Sequence, residues 1–194
     1  MGKVVVSQFI TLDGVVEDPG GSEGFARGGW AFKFDRGEAG DKFKYDELMA
    51  TDALLLGRRT YKGFAEAWPS RTGEFADKFN ALPKYVVSTT LRDPEWTNTT
   101  VIGGEVGPAV RELKQKLDGD IVVHGSVELV RTLLDEDLIE ELRLMVFPTL
   151  LGAGKRLFGE TEEVAALRLT DSQVAGDTQI LVYEPGTDEQ LESR

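Results

Sequence analysis

Three short segments of this chain carry groups that could hold an anion, and two acids stand where a proton could be moved. Gly57-Arg58-Arg59-Thr60 follows the apolar run Ala53–Leu56 and leads into Tyr61. It places backbone N–H groups, a hydroxyl and two guanidinium groups where a strand hands over to a helix, and such a helix start favours phosphate. Ser88-Thr89-Thr90 and His124-Gly125-Ser126-Val127 each follow a short apolar run. Strands of an open parallel sheet present ligands with their carboxyl ends, so the three segments could converge on one extended polyphosphate. Val101-Ile102-Gly103-Gly104 competes with His124-Gly125-Ser126 as the glycine turn before a helix, and spacing alone does not separate them. Asp13 ends the first apolar run, and Asp41 opens a helical stretch after an aromatic loop. Either acid could donate a proton or anchor a substrate; Asp41 could equally be a helix-start acid.

The bulk composition narrows the ligand. The chain has 194 residues and a formal net charge of −12, so adjacent arginines mark a local anion site, not a nucleic-acid stripe. An anionic membrane surface is disfavoured for the same reason. With no cysteine there is no disulfide, no thiolate nucleophile and no zinc–thiolate site. The one histidine, His124, leaves no Ser-His-Asp arrangement and no His-rich metal set, so no metal site is expected. The N-terminus soon turns polar and no apolar run approaches the ~20 residues of a membrane span, so a cytoplasmic protein is expected. Neither a Walker motif nor a G-x-G-x-x-G follows the first strand.

The positioning elements follow from periodicity. Val4–Ile10, Ala53–Leu56, Lys84–Ser88, Thr99–Ile102, Ile121–Val123 and Glu141–Phe147 read as strands. Asp41–Thr51, Thr60–Glu66, Phe75–Leu82, Pro108–Leu117 and Val127–Leu134 read as helices. Leu167–Val174 and Gln179–Tyr183 read as a closing antiparallel hairpin, and Pro148–Gly159 as a loop. Gly14–Gly40, with Phe25, Trp30, Phe32 and Phe34, is a long segment that could be a lid over a ligand or a cover for a core edge. Strands alternating with helices predict one α/β domain over 1–185 with a polar tail over 186–194.

Taken in order, these segments resemble the dihydrofolate reductase superfamily. They are most similar to the branch that includes the C-terminal reductase domain of the riboflavin-pathway deaminase–reductase. The carrying residues are Thr11-Leu12-Asp13-Gly14, Asp52–Tyr61, Val86–Leu91, His124-Gly125-Ser126 with Leu129-Val130, Leu138–Leu144, and Phe147-Pro148 with Leu151–Phe158. The resemblance covers about residues 3–184. It implies a three-layer α/β domain with a mostly parallel central sheet and an antiparallel C-terminal strand. It also implies an NADPH-binding reductase acting on a small heterocyclic or sugar-like substrate of pterin or ribosylaminopyrimidine type, and a homodimer. Gly57, Arg58, Arg59 and Thr60 would meet cofactor phosphate, Ser88 and Thr89 the adenosine 2′-phosphate, and His124, Gly125, Ser126 and Val127 the pyrophosphate and nicotinamide side. His124 stands where the family carries the first glycine of a pair, and a cis His124–Gly125 peptide is expected from that match. A non-catalytic nucleotide- or pterin-binding module is the alternative on the same fold.

Overall fold

The computed structural model describes residues 1–159 and 164–187. Eight strands form one sheet: β1 (Lys3–Thr11), β2 (Thr51–Gly57), β3 (Lys84–Val87), β4 (Thr99–Ile102), β5 (Asp120–His124), β6 (Glu141–Phe147), β7 (Leu167–Ala175) and β8 (Thr178–Pro185). Five α-helices join them: α1 (Gly37–Ala50), α2 (Arg58–Ala67), α3 (Glu74–Ala81), α4 (Val106–Lys116) and α5 (Val127–Asp135). The strand order is β4-β3-β2-β5-β1-β6-β8-β7. Pairing is parallel from β4 through β6, and β8 joins β6 and β7 antiparallel. This is the expected α/β architecture. Residues 188–194 of the expected tail lie outside the described residues.

Alternation along the strands sends side chains to two layers. One face holds Val4, Val6, Ile10, Leu55, Ile121, Val123, Leu142 and Leu144, closed by Val110 and Leu113 of α4 and Leu129, Val130 and Leu133 of α5. The other face holds two clusters. Val5, Leu54, Leu56, Val86 and Val122 lie under Leu48, Tyr61 and Phe79 of α1, α2 and α3. Met145, Phe147, Ile180 and Val182 lie under Trp30 and Ala31. Trp30 sits in a short 3-10 turn, Trp30–Lys33, and meets Phe147 edge-on at 5.3 Å.

A row of polar residues crosses the sheet between these two clusters. Register places Ser7 of β1 beside His124 of β5 and Arg143 of β6. Glu47 of α1 plugs the row: Ser7 Oγ donates to it at 3.0 Å, Lys44 is ion-paired to it, and Arg143 Nη1 lies 3.5 Å away. Arg143 also pairs with Asp120 at 2.9 Å and Glu141 at 2.5 Å. Burial alone would raise the Glu47 carboxyl, but Lys44, His124 and Arg143 outweigh it and hold the group at about 2. Lys84, unlike the partly buried Lys44 and Arg143, is fully buried; burial lowers it to about 8, and its three N–H bonds go to the carbonyls of Asn80, Leu82 and Thr97.

Several boundaries differ from the sequence reading by a residue or more, and two helix starts have a physical reason of note. Helix α1 begins at Gly37, not Asp41, because the glycines that argue against a helix serve a close approach. Gly37 has φ +58 with Gly176 of the β7–β8 turn beside it, and a Cβ on Gly40 would meet Arg36 Cβ at 2.8 Å. Helix α2 begins at Arg58, which puts both arginines inside its first turn.

Removing the carboxylate from Glu47 leaves Lys44 and Arg143 facing each other in a buried layer. Glu47→Gln should lower unfolding free energy by about 3–5 kcal/mol, the usual cost of breaking a buried pair. Urea denaturation at pH 7 measures it, and a change below 1 kcal/mol would show that water reaches the cluster.

Candidate functional site

The sheet connections reverse between β2 and β5. Helix α2 leaves β2 over the face that carries Tyr61 and Phe79, and α5 leaves β5 over the opposite face. Adjacent strands whose connections depart to opposite sides leave a crevice at their carboxyl ends. Here the crevice is widened because β2 and β5 stop pairing at Leu54 and Val122, although the strands run on to Gly57 and His124. The result is a cleft of about 420 Å³. Gly57, Arg58, Arg59 and Thr60 form one wall, Gly125, Ser126 and Val127 another, and Val16, Glu17, Asp18, Glu23 and Lys155 a third.

Three helices start at this cleft: α2 at Arg58, α5 at Val127 and α4 at Val106. None has a side-chain hydrogen bond at its N-cap, so the first-turn N–H groups are left to a ligand or to water. Arg58 and Arg59 are exposed and make no ion pair among the described residues. Cations at a helix N-terminus oppose its dipole, so this placement costs stability unless an anion sits between them.

The turn after β5 is built by two consecutive left-handed residues, Gly125 (φ +57) and Ser126 (φ +60). The Ser126 hydroxyl accepts the Gly57 N–H at 2.8 Å and lies 2.9 Å from Thr60 Oγ1, so it ties the ends of β2, α2 and β5 together. A Cβ on Gly125 would meet Thr60 Oγ1 at 2.8 Å. Glycine is therefore required here by its φ and by Thr60. The expected cis His124–Gly125 peptide is corrected: the described chain contains no cis peptide, and the two left-handed residues turn the backbone without that cost of about 2.5–4 kcal/mol. The side chain of His124 does point away from the cleft. It packs against Phe64 and Phe79, with Nδ1 3.3 Å from Ser7 O. Burial, helped by the Lys44 ammonium, pushes its imidazole down to about 4, so the ring is neutral at pH 7.

The other expected site residues fall differently. At the end of β3 it is Val87 that lines the cleft. The Ser88 hydroxyl turns back to accept the N–H groups of Thr90 (3.2 Å) and Leu91 (2.9 Å), and Thr89 is exposed beside it. Gly103 and Gly104 do not line the cleft; their segment contributes Val106. Asp41 lies on the outer surface of α1, away from the cleft, paired with Arg36 at 2.5 Å. Asp13 is also outside it. Its carboxylate accepts from Thr11 Oγ1 (2.5 Å), Gly152 N (2.7 Å) and Leu151 N (3.2 Å), a latch between β1 and the loop after β6. The Thr11 hydroxyl and the Gly152 N–H lower it from 3.8 to about 2. The acids that reach the cleft are Glu17, Asp18 and Glu23 of the long loop and Glu128 in the first turn of α5, and none carries a local sequence signal.

That loop is anchored at both ends. Val15 bridges to Arg156, Val16 N–H donates to Lys155 O at 2.9 Å, and Trp30 Nε1 donates to Glu17 O at 2.9 Å. Asp18 (φ +48, buried) organises the middle, its carboxylate accepting from Glu23 N at 3.0 Å and Phe25 N at 3.1 Å. The segment thus covers a core edge with Trp30 and forms a wall of the cleft with its first half.

A carboxylate whose folded-state pKa is depressed stabilises above its unfolded value and loses that contribution as pH falls through the folded value. For Asp13 this window runs from 3.8 down to about 2. Asp13→Ala should cost on the order of 2 kcal/mol at pH 7, and the ionisation-linked part should vanish toward pH 2. Denaturation midpoints across a pH series check this; a pH-independent difference would count against the latch.

Residues 2–181 match the RibD C-terminal domain family. Two Bacillus subtilis proteins align over nearly their whole length. YwjB is 29% identical over 93% of this chain and 97% of its own, and YyaP is 24% identical over 95% and 96%; both are described as uncharacterised. Among solved structures, a putative riboflavin biosynthesis protein from Shewanella sp. PV-4 superposes with a TM-score of 0.76 at 22% identity, covering 95% of this chain and 99% of that one. At that identity the likeness establishes the fold. With the family matched across almost the entire chain and the cleft at its expected switch point, the protein belongs to the RibD C-terminal domain family.

Proposed function

We propose that the protein is an NADPH-dependent reductase of the riboflavin-pathway type, acting on a small heterocyclic or sugar-like substrate such as a ribosylaminopyrimidine or a pterin. The observation that carries this reading is the convergence of three uncapped helix starts and two unpaired arginines on one cleft in a chain of net charge −12. A dinucleotide phosphate fits that donor set: a pyrophosphate takes the N–H groups at α5, and a 2′-phosphate takes the guanidinium groups of Arg58 and Arg59. When bound, NADPH supplies the hydride, and the protein supplies binding and orientation. Gly125 gives room at the turn, Thr60 and Ser126 fix the spacing of the two walls, and the loop from Val16 to Glu23 closes one side against water.

NADPH should bind more tightly than NADH, because a charge-assisted bond to the extra phosphate contributes about 1.5–3 kcal/mol. Arg58→Ala should weaken NADPH binding roughly tenfold or more and leave NADH nearly unchanged. Calorimetric titration with both cofactors tests this, and equal affinities would sink the reading. Oxidation of NADPH against a panel of ribosylaminopyrimidines and pterins then separates an enzyme from a non-catalytic binding module, which would bind without turnover.

A further inference from the structure

On the sheet face covered by α4 and α5, β1 reads Val4, Val6, Gln8, Ile10, and only Gln8 is polar. It is 5% exposed. A buried amide in an apolar row costs free energy unless its hydrogen bonds are made. Its Nε2 donates to the Gly125 carbonyl oxygen at 2.7 Å, across 117 residues of sequence. An amide facing a carbonyl must present its NH₂, so the donor end is fixed by its partner.

The Gly125–Ser126 peptide is trans, and in a trans peptide the C=O and N–H point in opposite directions. Holding the Gly125 oxygen on Gln8 therefore aims the Ser126 N–H away from Gln8. The N–H groups of Ser126 and Val127 have no acceptor among the described residues, and both residues line the cleft. Consecutive left-handed residues can rotate their shared peptide with little steric penalty when one is glycine. Without a fixed donor to hold the Gly125 oxygen, the same turn could present that oxygen to the cleft instead, which would repel an anion.

We propose that Gln8 is a positioning residue: it orients the Gly125–Ser126 peptide so that the Ser126 N–H, not the Gly125 oxygen, is offered to a phosphate in the cleft. This rests on the reading of the cleft as a dinucleotide phosphate site. Gln8 touches no ligand; it acts through the peptide it holds.

The test uses Gln8→Met, which keeps the length and suits the apolar surroundings, and Gln8→Asn, which keeps an amide but shortens its reach. Thermal unfolding, backbone amide spectra of the ligand-free protein, and calorimetric affinity for NADPH and inorganic pyrophosphate are compared with wild type. In at least the Asn variant, Tm should stay within a few degrees. In both variants the Ser126 and Val127 amide signals should shift or double. Affinity for both probes should fall about tenfold, as for loss of one charge-assisted hydrogen bond. Unchanged Ser126 and Val127 signals in a folded variant overturn the proposal, as does unchanged affinity where wild type binds. A wild-type protein that binds neither probe overturns the dinucleotide reading, and the amide spectra still decide whether Gln8 sets the peptide.

Discussion

The bond from Gly57 N–H to the Ser126 hydroxyl is the constraint on which the cleft depends. Strands β2 and β5 pair only as far as Leu54 and Val122, and beyond that point their ends diverge. Divergence opens space for a ligand, but it also strands backbone groups that a continuing ladder would satisfy. Ser126 meets that need at one point, 2.8 Å from the Gly57 nitrogen, while its contact with Thr60 sets where α2 begins relative to α5. A hydroxyl suits this position because it accepts from the strand end and still has a proton to donate. Its left-handed backbone, φ +60, is a strained choice for a serine, and it is maintained because the side chain is held by its partners.

The two faces of the sheet treat charge in opposite ways. Under α1 the charges of Lys44, Glu47, Arg143, Asp120 and Glu141 compensate one another, so the layer tolerates their burial. At the cleft, Arg58 and Arg59 make no ion pair among the described residues and stand at a helix start whose dipole opposes them, with the Glu23 carboxylate of the facing wall close enough to feel Arg59. A protein of net charge −12 has carboxylates to spare, and pairing two arginines would be easy. Two arginines without an ion pair at a helix start are a choice that stability alone does not favour, the pattern seen where local rules and global need disagree.

Sequence legibility followed the range of the interactions involved. Apolar runs such as Val4–Ile10 and Ala53–Leu56 fixed the strands because burial on both faces leaves few other options, and Thr99–Ile102 and Glu141–Phe147 have the boundaries their patterns predict. The start of α1 was hidden because Gly37 and Gly40 answer to Gly176 and Ala175, more than 130 residues away. The cleft-lining turns were legible as glycine and arginine next to apolar runs. Asp13 and Asp41 were visible as acids at element ends, but the chemistry of an acid depends on what surrounds it. Three hydrogen bonds turn Asp13 into a latch, and solvent and Arg36 claim Asp41. Gln8 carried no signal at all, since one polar residue in a strand says nothing until its partner is known.

His124 shows how a bulky residue can stand next to such a turn. Its ring leaves the sheet on the face opposite Gln8, because the side chain belongs to β5 and points between Phe64 and Phe79. The peptide that follows answers to Gln8 and Ser126 on the other side. The imidazole therefore fills core volume between α2, α3 and the polar row, while the two left-handed residues after it do the turning. Replacing it with glycine would remove that packing without freeing the cleft, so its place beside the glycine turn is one of support. The same separation of roles explains why a neutral, half-buried histidine can stand a single residue from the cleft: the ring's environment is set by Lys44, Glu47 and Ser7 below the sheet, and the cleft's by the helix starts at the strand ends.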